Sequence, residues 1–318
     1  MKVLVTGGGG FIGQKLVDRL VHEGCRVRLI SRHLKTRPHE NIEVFRGDLL
    51  ESDFPFSEAV DGCNLIYHCA GEIHNPSVMK ALHVDATQRM ISAALKKAED
   101  EGGNIHWVQL SSVGAYGPPN GEYCRERIVT EETVCHPVGE YETTKAQSDE
   151  VVMRAGVNRL FTYTIVRPSN VFGFDMPNQS LRALGAVVKK NLFFYIGKPG
   201  AVATYVHVDD VVEVLFRCGT DPRTKGEVFN LSNDCLLEEM IDGIALSLNA
   251  RVPRLRLSES LANIIIHMGR FLPIPLTRER VNALTNRTRY PHCKLREKLN
   301  FVPQKPVPVS IGELFSVD

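Results

Sequence analysis

The sequence carries no excess of charge of either sign. Thirty-eight Lys and Arg stand against 37 Asp and Glu, a net charge of +1. A surface for nucleic acid or an anionic membrane needs a basic stripe that this balance does not supply, so neither partner is expected. The eight cysteines fall at irregular spacings and never as Cys-x-x-Cys. Neither a metal site nor a disulfide framework is expected; reduced thiols of a cytoplasmic protein are. A bilayer crossing takes about 20 consecutive apolar residues. The longest apolar stretch, Leu261–Leu276, is broken by His267, Arg270 and Pro273 and reads as a buried or interfacial helix. A signal peptide is not expected, because the first residues have the pattern of a strand. The 318 residues contain no internal repeat or low-complexity tract and are long enough for one large domain or two modest ones.

What is present is concentrated at the start. Met1–Val5 is a short apolar run with β-branched residues, followed by Thr6-Gly7-Gly8-Gly9-Gly10-Phe11-Ile12-Gly13. After Gly13, Leu16, Leu20 and Val21 recur at helical spacing. The segment reads strand, glycine loop, helix. Such a loop lets a backbone approach a ligand with no Cβ between them, and the helix behind it aims its N–H groups and positive dipole end at the loop. That is a pyrophosphate site. Gly8, Gly10 and Gly13 fit G-x-G-x-x-G; Gly7, Gly10 and Gly13 fit G-x-x-G-x-x-G. Gln14 follows Gly13 where a nucleoside-triphosphate loop needs Lys-Ser or Lys-Thr, so that alternative is disfavoured. The bland reading is a ligand-free flexible turn.

Further strand patterns follow at Arg26–Ile30, Ile42–Arg46, Cys63–His68 and Ile105–Leu110, with helical patterns between several of them. Alternation of this kind predicts βαβ units and an α/β fold with a doubly wound parallel sheet. In such sheets the ligand sits outside the carboxyl ends of the strands. Gly7, Asp48, Ala70 and Ser112 all fall at such ends. The second strand ends in Ser31-Arg32 with no acidic residue. An acid there suits the ribose 2′-hydroxyl of NAD and an arginine suits the 2′-phosphate of NADP, so NADP is slightly favoured over NAD.

Gly117–Pro137 is rich in Pro, Gly and charge and reads as a loop over the site. Tyr141 and Lys145 then open a helix, four apart and so on one face. A phenol titrates near pH 10, too high for proton transfer at neutral pH, and a neighbouring ammonium is expected to lower that value. Ser112 can hold a reacting hydroxyl or carbonyl by a hydrogen bond.

These motifs occur together and in order with Arg167-Pro168-Ser169-Asn170-Val171-Phe172-Gly173 and Val206-His207-Val208-Asp209-Asp210. The chain thereby resembles the extended short-chain dehydrogenase/reductases, in particular the NAD-dependent epimerase/dehydratase group typified by UDP-glucose 4-epimerase. The resemblance is strong over residues 1–235 and weak in the tail. It implies a Rossmann-type domain, residues 1–173 with 203–235, and a smaller C-terminal substrate lobe, residues 174–202 with 236–318. It implies Ser112, Tyr141 and Lys145 as catalytic residues. Gly7, Gly10, Phe11, Ile12, Gly13, Ser31, Arg32, Asp48, Leu49, Ala70, Gly71, Tyr141, Lys145, Pro168 and Val171 are implied as the NAD(P) site. Ser112 and Asn170 are implied to meet the substrate. It also suggests a homodimer formed through the helix of Tyr141, with Val152 and Met153 as apolar contacts.

The departures from the pattern bear on activity. His83 stands where the group has Asn, and reads as a packed helix residue. No acidic pair follows Ser112, which disfavours a dehydratase. Ala203 stands where sugar-nucleotide epimerases carry an arginine for the substrate diphosphate; Lys198, Arg287 and Arg289 are the candidate replacements. His207 reads as a satisfied core histidine, and Asp209 and Asp210 as N-terminal capping residues. The expected function is an NAD(P)-dependent nucleotide-sugar epimerase. The alternatives are an NADPH-dependent carbonyl reductase acting on a ketosugar or hydrophobic alcohol, and a non-catalytic nucleotide-sensing protein on the same fold.

Overall fold

The computed structural model describes residues 1–32, 39–119, 123–268 and 277–316. Seven strands form one sheet: β1 (Lys2–Thr6), β2 (Arg26–Ser31), β3 (Ile42–Arg46), β4 (Leu65–His68), β5 (Ile105–Leu110), β6 (Phe161–Pro168) and β7 (Glu227–Leu231). Their order is β7-β6-β5-β4-β1-β2-β3 and every pairing is parallel. Helix α1 (Phe11–His22) joins β1 to β2, and α2 (Ala86–Glu101) precedes β5. Helix α3 (Glu140–Ala155) precedes β6, and α4 (Val208–Thr220) precedes β7. This is the Rossmann-type α/β fold expected from the alternation. The strand order reverses between β1 and β4, which opens a crevice at their carboxyl ends.

Helices on both faces bury the sheet, so strands read as unbroken apolar runs rather than as alternation. On one face Leu16 and Leu20 of α1 and Val211 and Leu215 of α4 pack over Val3, Val5 and Val27. On the other, Met90 and Ala94 of α2 and Val152 of α3 pack over Leu4, Ile66 and Trp107. Val152 is thus a core residue, which removes it from any dimer face; Met153 is only partly buried.

Strand β2 alternates polar and apolar residues, the pattern of a half-buried strand, but its burial departs from that pattern. Arg28 lies inside, at 7% exposure. Its guanidinium donates to the carbonyls of Glu58, Ala59 and Asp61 at the end of the short helix Phe56–Val60, and to Glu43 of β3. A buried guanidinium needs fixed acceptors for its donors, and these carbonyls and Glu43 supply them.

A third cluster gathers Phe172, Leu181, Val188, Tyr195, Met240, Ile241, Ile244 and Ile311 beside the crevice. Leu295, Leu299 and Phe301 pack back into the core under α1 and α4. The segment rich in Pro, Gly and charge is tied down where Arg127–Ile128 pairs with Thr288–Arg289. The long apolar stretch begins as a helix, Glu259–Met268; residues 269–276 lie outside the described residues. Among the described residues no helix is long and apolar enough to cross a membrane. None of the eight cysteines, all of them among the described residues, forms a disulfide.

Candidate active site

The glycine loop is built by close backbone contact. Gly7 has φ +66°, and a Cβ there would stand 2.6 Å from the backbone of Cys69 and Ala70. A Cβ at Gly13 would stand 2.2 Å from the Gly7 carbonyl oxygen. Backbone cannot yield to either, so glycine is dictated at both positions. The Gly10 N–H donates to the Gly7 carbonyl at 2.9 Å and closes the turn. A Cβ at Gly8 would meet side chains rather than backbone, Leu29 Cδ1 at 2.1 Å and Val17 Cγ2 at 3.2 Å, and Gly9 faces open space. The geometry therefore favours the register Gly7, Gly10, Gly13. Helix α1 starts with no side-chain cap and no acidic residue in its first turn. Its leading N–H groups and dipole are left to an external anion.

A cavity of about 960 Å³ opens at this helix end. Gly7, Gly8, Gly10, Ser31, Arg32, Asp48, Leu49, Ala70 and Gly71 line it. Gln14, His39, Glu72 and Leu82 line it too, none of them singled out by motif. Phe11 and Ile12 pack their side chains on the core instead. Arg32 lies on the rim with a terminal nitrogen 3.8 Å from Asp48 Oδ2. The β2–β3 register sets Arg46 opposite Ser31, which brings a second arginine to the edge where the sequence showed one. Volume, glycine cradle, uncapped helix and basic rim fit a dinucleotide with its pyrophosphate at α1.

A buried polar chain runs beneath Ala70 and Gly71. Thr6 Oγ1 accepts from the Ala70 N–H at 3.1 Å and lies 3.0 Å from His68 Nδ1. His68 Nε2 lies 3.0 Å from Thr87 Oγ1, which donates to the His83 carbonyl at 2.6 Å. His83 Nε2 accepts from the Glu72 N–H at 2.9 Å, so its proton is on Nδ1, 2.8 Å from Thr144 Oγ1. Thr144 in turn donates to the Glu140 carbonyl. Burial holds both imidazoles neutral, with pKa values lowered to about 3. His83 is a packed helix residue as expected, but it sits in a π-helical turn, Ala81–Asp85, and its ring meets that of Tyr141 edge-on at 5.8 Å. Its signal in the sequence was the departure from Asn.

Tyr141, Lys145 and Ser112 converge on this chain. Ser112 lies two residues beyond the end of β5 and caps the next turn by accepting from the Gly114 N–H at 3.0 Å. Lys145 is buried and donates to the Leu110 carbonyl at 2.8 Å. A Cβ built on Gly71 would stand 3.5 Å from both Lys145 Nζ and His83 Nε2, so the ammonium abuts the cavity floor. The Tyr141 phenol is pushed up to about 12 by burial and by Glu142, against the pull of the Ser112 hydroxyl. The expected lowering by Lys145 is not seen: burial is the largest influence on the phenol, and the Lys145 ammonium donates to the Leu110 carbonyl. Burial lowers Lys145 itself, opposed by Asp149.

Pro168 ends β6, paired with Leu231. Val171 packs on the core, and the Asn170 amide donates to the Thr204 carbonyl at 3.0 Å. Among the candidate diphosphate ligands, Arg287 is committed to the carbonyls of Lys198, Pro199 and Gly200. Lys198 and Arg289 are exposed. Arg289 acts electrostatically on Asp234 and Cys235, and Cys235 pairs with the buried Ala203. His207 is satisfied, by the Asp209 N–H and by Glu313 at 3.0 Å. It also caps α4, the role expected of the aspartates; Asp210 instead accepts from the Gln304 and Lys305 N–H groups and anchors the tail.

Comparison with known proteins fits this arrangement. Over 217 residues the chain is 29% identical to the 3 beta-hydroxysteroid dehydrogenase/Delta 5→4-isomerase of Mycobacterium tuberculosis, covering 65% of this chain and 57% of that one. It is 27% identical to the UDP-glucose 4-epimerase of Lactobacillus helveticus, covering 73% and 76%. The chain spans as little as 41% of one curated relative and as much as 78% of another. Its fold matches the UDP-glucose 4-epimerase of Thermotoga maritima with a TM-score of 0.74, over 99% of this chain and 97% of that one, at 17% identity. A family model described as the NAD dependent epimerase/dehydratase family matches residues 3–232, and the chain belongs to that family.

Proposed function

We propose that the protein moves a hydride between a nicotinamide cofactor and a secondary alcohol or ketone of a nucleotide sugar, as an epimerase. The observation that carries the hydride chemistry is the placement of the Lys145 ammonium against Gly71 in the cavity lining, with Tyr141 one helical turn before it on α3. Gly7, Gly10 and Gly13 with the α1 N-terminus hold the pyrophosphate, Asp48 and Leu49 flank the adenine, and Ala70, Pro168 and Val171 lie at the ribose and nicotinamide. The bound cofactor supplies the hydride acceptor and donor. Tyr141 carries the proton to and from the substrate oxygen, Ser112 orients that oxygen, and the Lys145 charge favours the phenolate when the proton leaves. Asn170 reaches the substrate. Arg289, beside the strand pair that holds Ala203, replaces the missing cation for a diphosphate.

A specific observation favours a second reading. Ala203 is buried and Arg287 is committed to main-chain carbonyls, which weakens the case for a diphosphate; Arg32 favours NADP. These suit a reductase of a ketone without a nucleotide. An epimerase must keep its cofactor through the cycle, whereas a net reductase releases it. Mass spectrometry of the purified protein after denaturation, followed by turnover of UDP-glucose with no added cofactor, separates the two. Retained dinucleotide and formation of the 4-epimer support the epimerase. Stoichiometric consumption of NADPH with a ketone, and no epimer, supports the reductase.

A further inference from the structure

One helical turn beyond Lys145 lies Asp149, a carboxylate at 1% exposure. Its Oδ2 accepts from Arg167 Nε at 3.0 Å and from Ser111 Oγ at 2.8 Å. Its Oδ1 is buried with no hydrogen-bond donor among the described residues. Arg167, also buried, lays its guanidinium 4.8 Å from the centre of the Tyr116 ring. A carboxylate oxygen without a donor is costly to bury unless a cation attracts it through space. Besides Arg167, which pairs with Oδ2, the cation near this carboxylate is the Lys145 ammonium, at i−4 on the same face of α3.

The wider surroundings agree. Lys145 is faced by Tyr141 and Asp149 from its own helix, by His68 and Cys69 from the end of β4, by His83 from the π-helical turn, and by the Leu110 carbonyl. His68 and His83 are neutral, and burial drives the Cys69 thiol up to about 12. Asp149 is therefore the one carboxylate among these groups. Asp149 itself is faced by Lys145, Arg167, Ser111 and, from the loop, Cys135.

We propose that Asp149 is a positioning residue of this site: its carboxylate, clamped by Arg167 and Ser111, is the counter-charge that holds the Lys145 ammonium in place beside Tyr141. The inference rests on the reading of Tyr141 and Lys145 given above. The carboxylate opposes the burial that lowers Lys145 and so keeps the amine charged, while its own charge also helps to hold the proton on Tyr141. Without the carboxylate, Lys145 loses the charge that most opposes the lowering by burial. A guanidinium does not give up its proton, so the ammonium does. A neutral Lys145 no longer favours the phenolate.

The test follows the titration of Lys145 itself and needs no substrate. The intact protein is acetylated with trace acetic anhydride across a pH series. The Lys145 peptide is quantified by mass spectrometry against an exposed lysine such as Lys198. In Asp149→Asn the midpoint for Lys145 is expected to fall by at least about one pH unit, so that at a fixed pH below it acetylation is about tenfold faster. An unchanged midpoint in folded Asp149→Asn overturns the proposal, since a merely structural role lowers the melting temperature without moving this one amine. If Asp149→Asn does not fold, Ser111→Ala, which loosens the carboxylate without unpairing Arg167, decides. A shift in the same direction of about 0.3 unit, twofold in rate, supports the proposal, and no shift overturns it. The outcome is independent of which reaction the enzyme performs, so an error in the assigned substrate leaves it standing.

Discussion

His83 Nδ1 and Thr144 Oγ1 are 2.8 Å apart, and this contact joins the loop after β4 to the helix that carries Tyr141. The imidazole is neutral there, with its pKa lowered to about 3 by burial and by the nearby Lys145 charge. An unfolded histidine titrates near pH 6.5. As pH falls through that value the unfolded chain takes up the proton first. The stability this histidine contributes is therefore full above about pH 6.5 and lost progressively toward pH 3. By pH 4.5 the loss is about 2.5 kcal/mol. Urea unfolding of His83→Asn should show a stability difference between pH 6.5 and 4.5 that is smaller than in the unmodified protein by about that amount. Equal pH dependence in both proteins contradicts the buried, neutral assignment.

The cradle makes a second prediction. Gly13→Ala places a methyl 2.2 Å from the Gly7 carbonyl oxygen, and that contact can be relieved only by moving the glycine loop off the α1 end. The sheet and its core lie elsewhere, so the fold should survive while dinucleotide affinity falls by about 100-fold or more, about 2.7 kcal/mol. Gly9→Ala, which meets open space, is the control and should bind almost normally. Calorimetric titration with NAD and NADP reads both.

Cofactor choice rests on the rim. Arg32→Ala should cost NADP about 1.5–3 kcal/mol, roughly a tenfold to hundredfold loss, and leave NAD nearly unchanged. Arg46→Ala should act in the same direction if its side chain shares the phosphate with its neighbour across the strand pair. Equal weakening of both dinucleotides by Arg32→Ala points to stacking on the adenine. Tighter NAD binding by the unmodified protein overturns the preference.

Two arginines separated by one residue should behave differently. Arg287→Ala leaves the carbonyls of residues 198–200 without their donor and should lower the melting temperature by several degrees. Arg289→Ala removes an exposed charge, so it should leave melting nearly unchanged and raise the KM for a nucleotide sugar about tenfold or more. An unchanged KM favours the reductase reading.

Most of the fold was legible because parallel strands and their helices write their burial directly into the sequence. Runs such as Leu65–His68 are buried at every position. The glycine loop, Ser31-Arg32, Asp48 and Ala70-Gly71 were legible because strand ends must carry the ligand. What escaped depends on contacts that are distant in sequence. Arg28 looked like the polar face of a half-buried strand; only the carbonyl cluster at the end of a helix 30 residues away makes it a core residue. Arg46 came opposite Ser31 through strand register, and Asp210 became a tail anchor through residues 304 and 305. The lowered phenol pKa expected for Tyr141 failed for the same kind of reason, since helical spacing carries no information on burial or on the carbonyl that engages Lys145.

The central claim is that Tyr141 carries the substrate proton. Tyr141→Phe deletes one oxygen from a ring that keeps its packing, so the melting temperature and dinucleotide affinity should stay close to those of the unmodified protein. Turnover of the substrate that the protein accepts should fall by about 10²-fold or more, the contribution of a general acid/base. Turnover within a few-fold of normal in a variant that still binds cofactor contradicts the account.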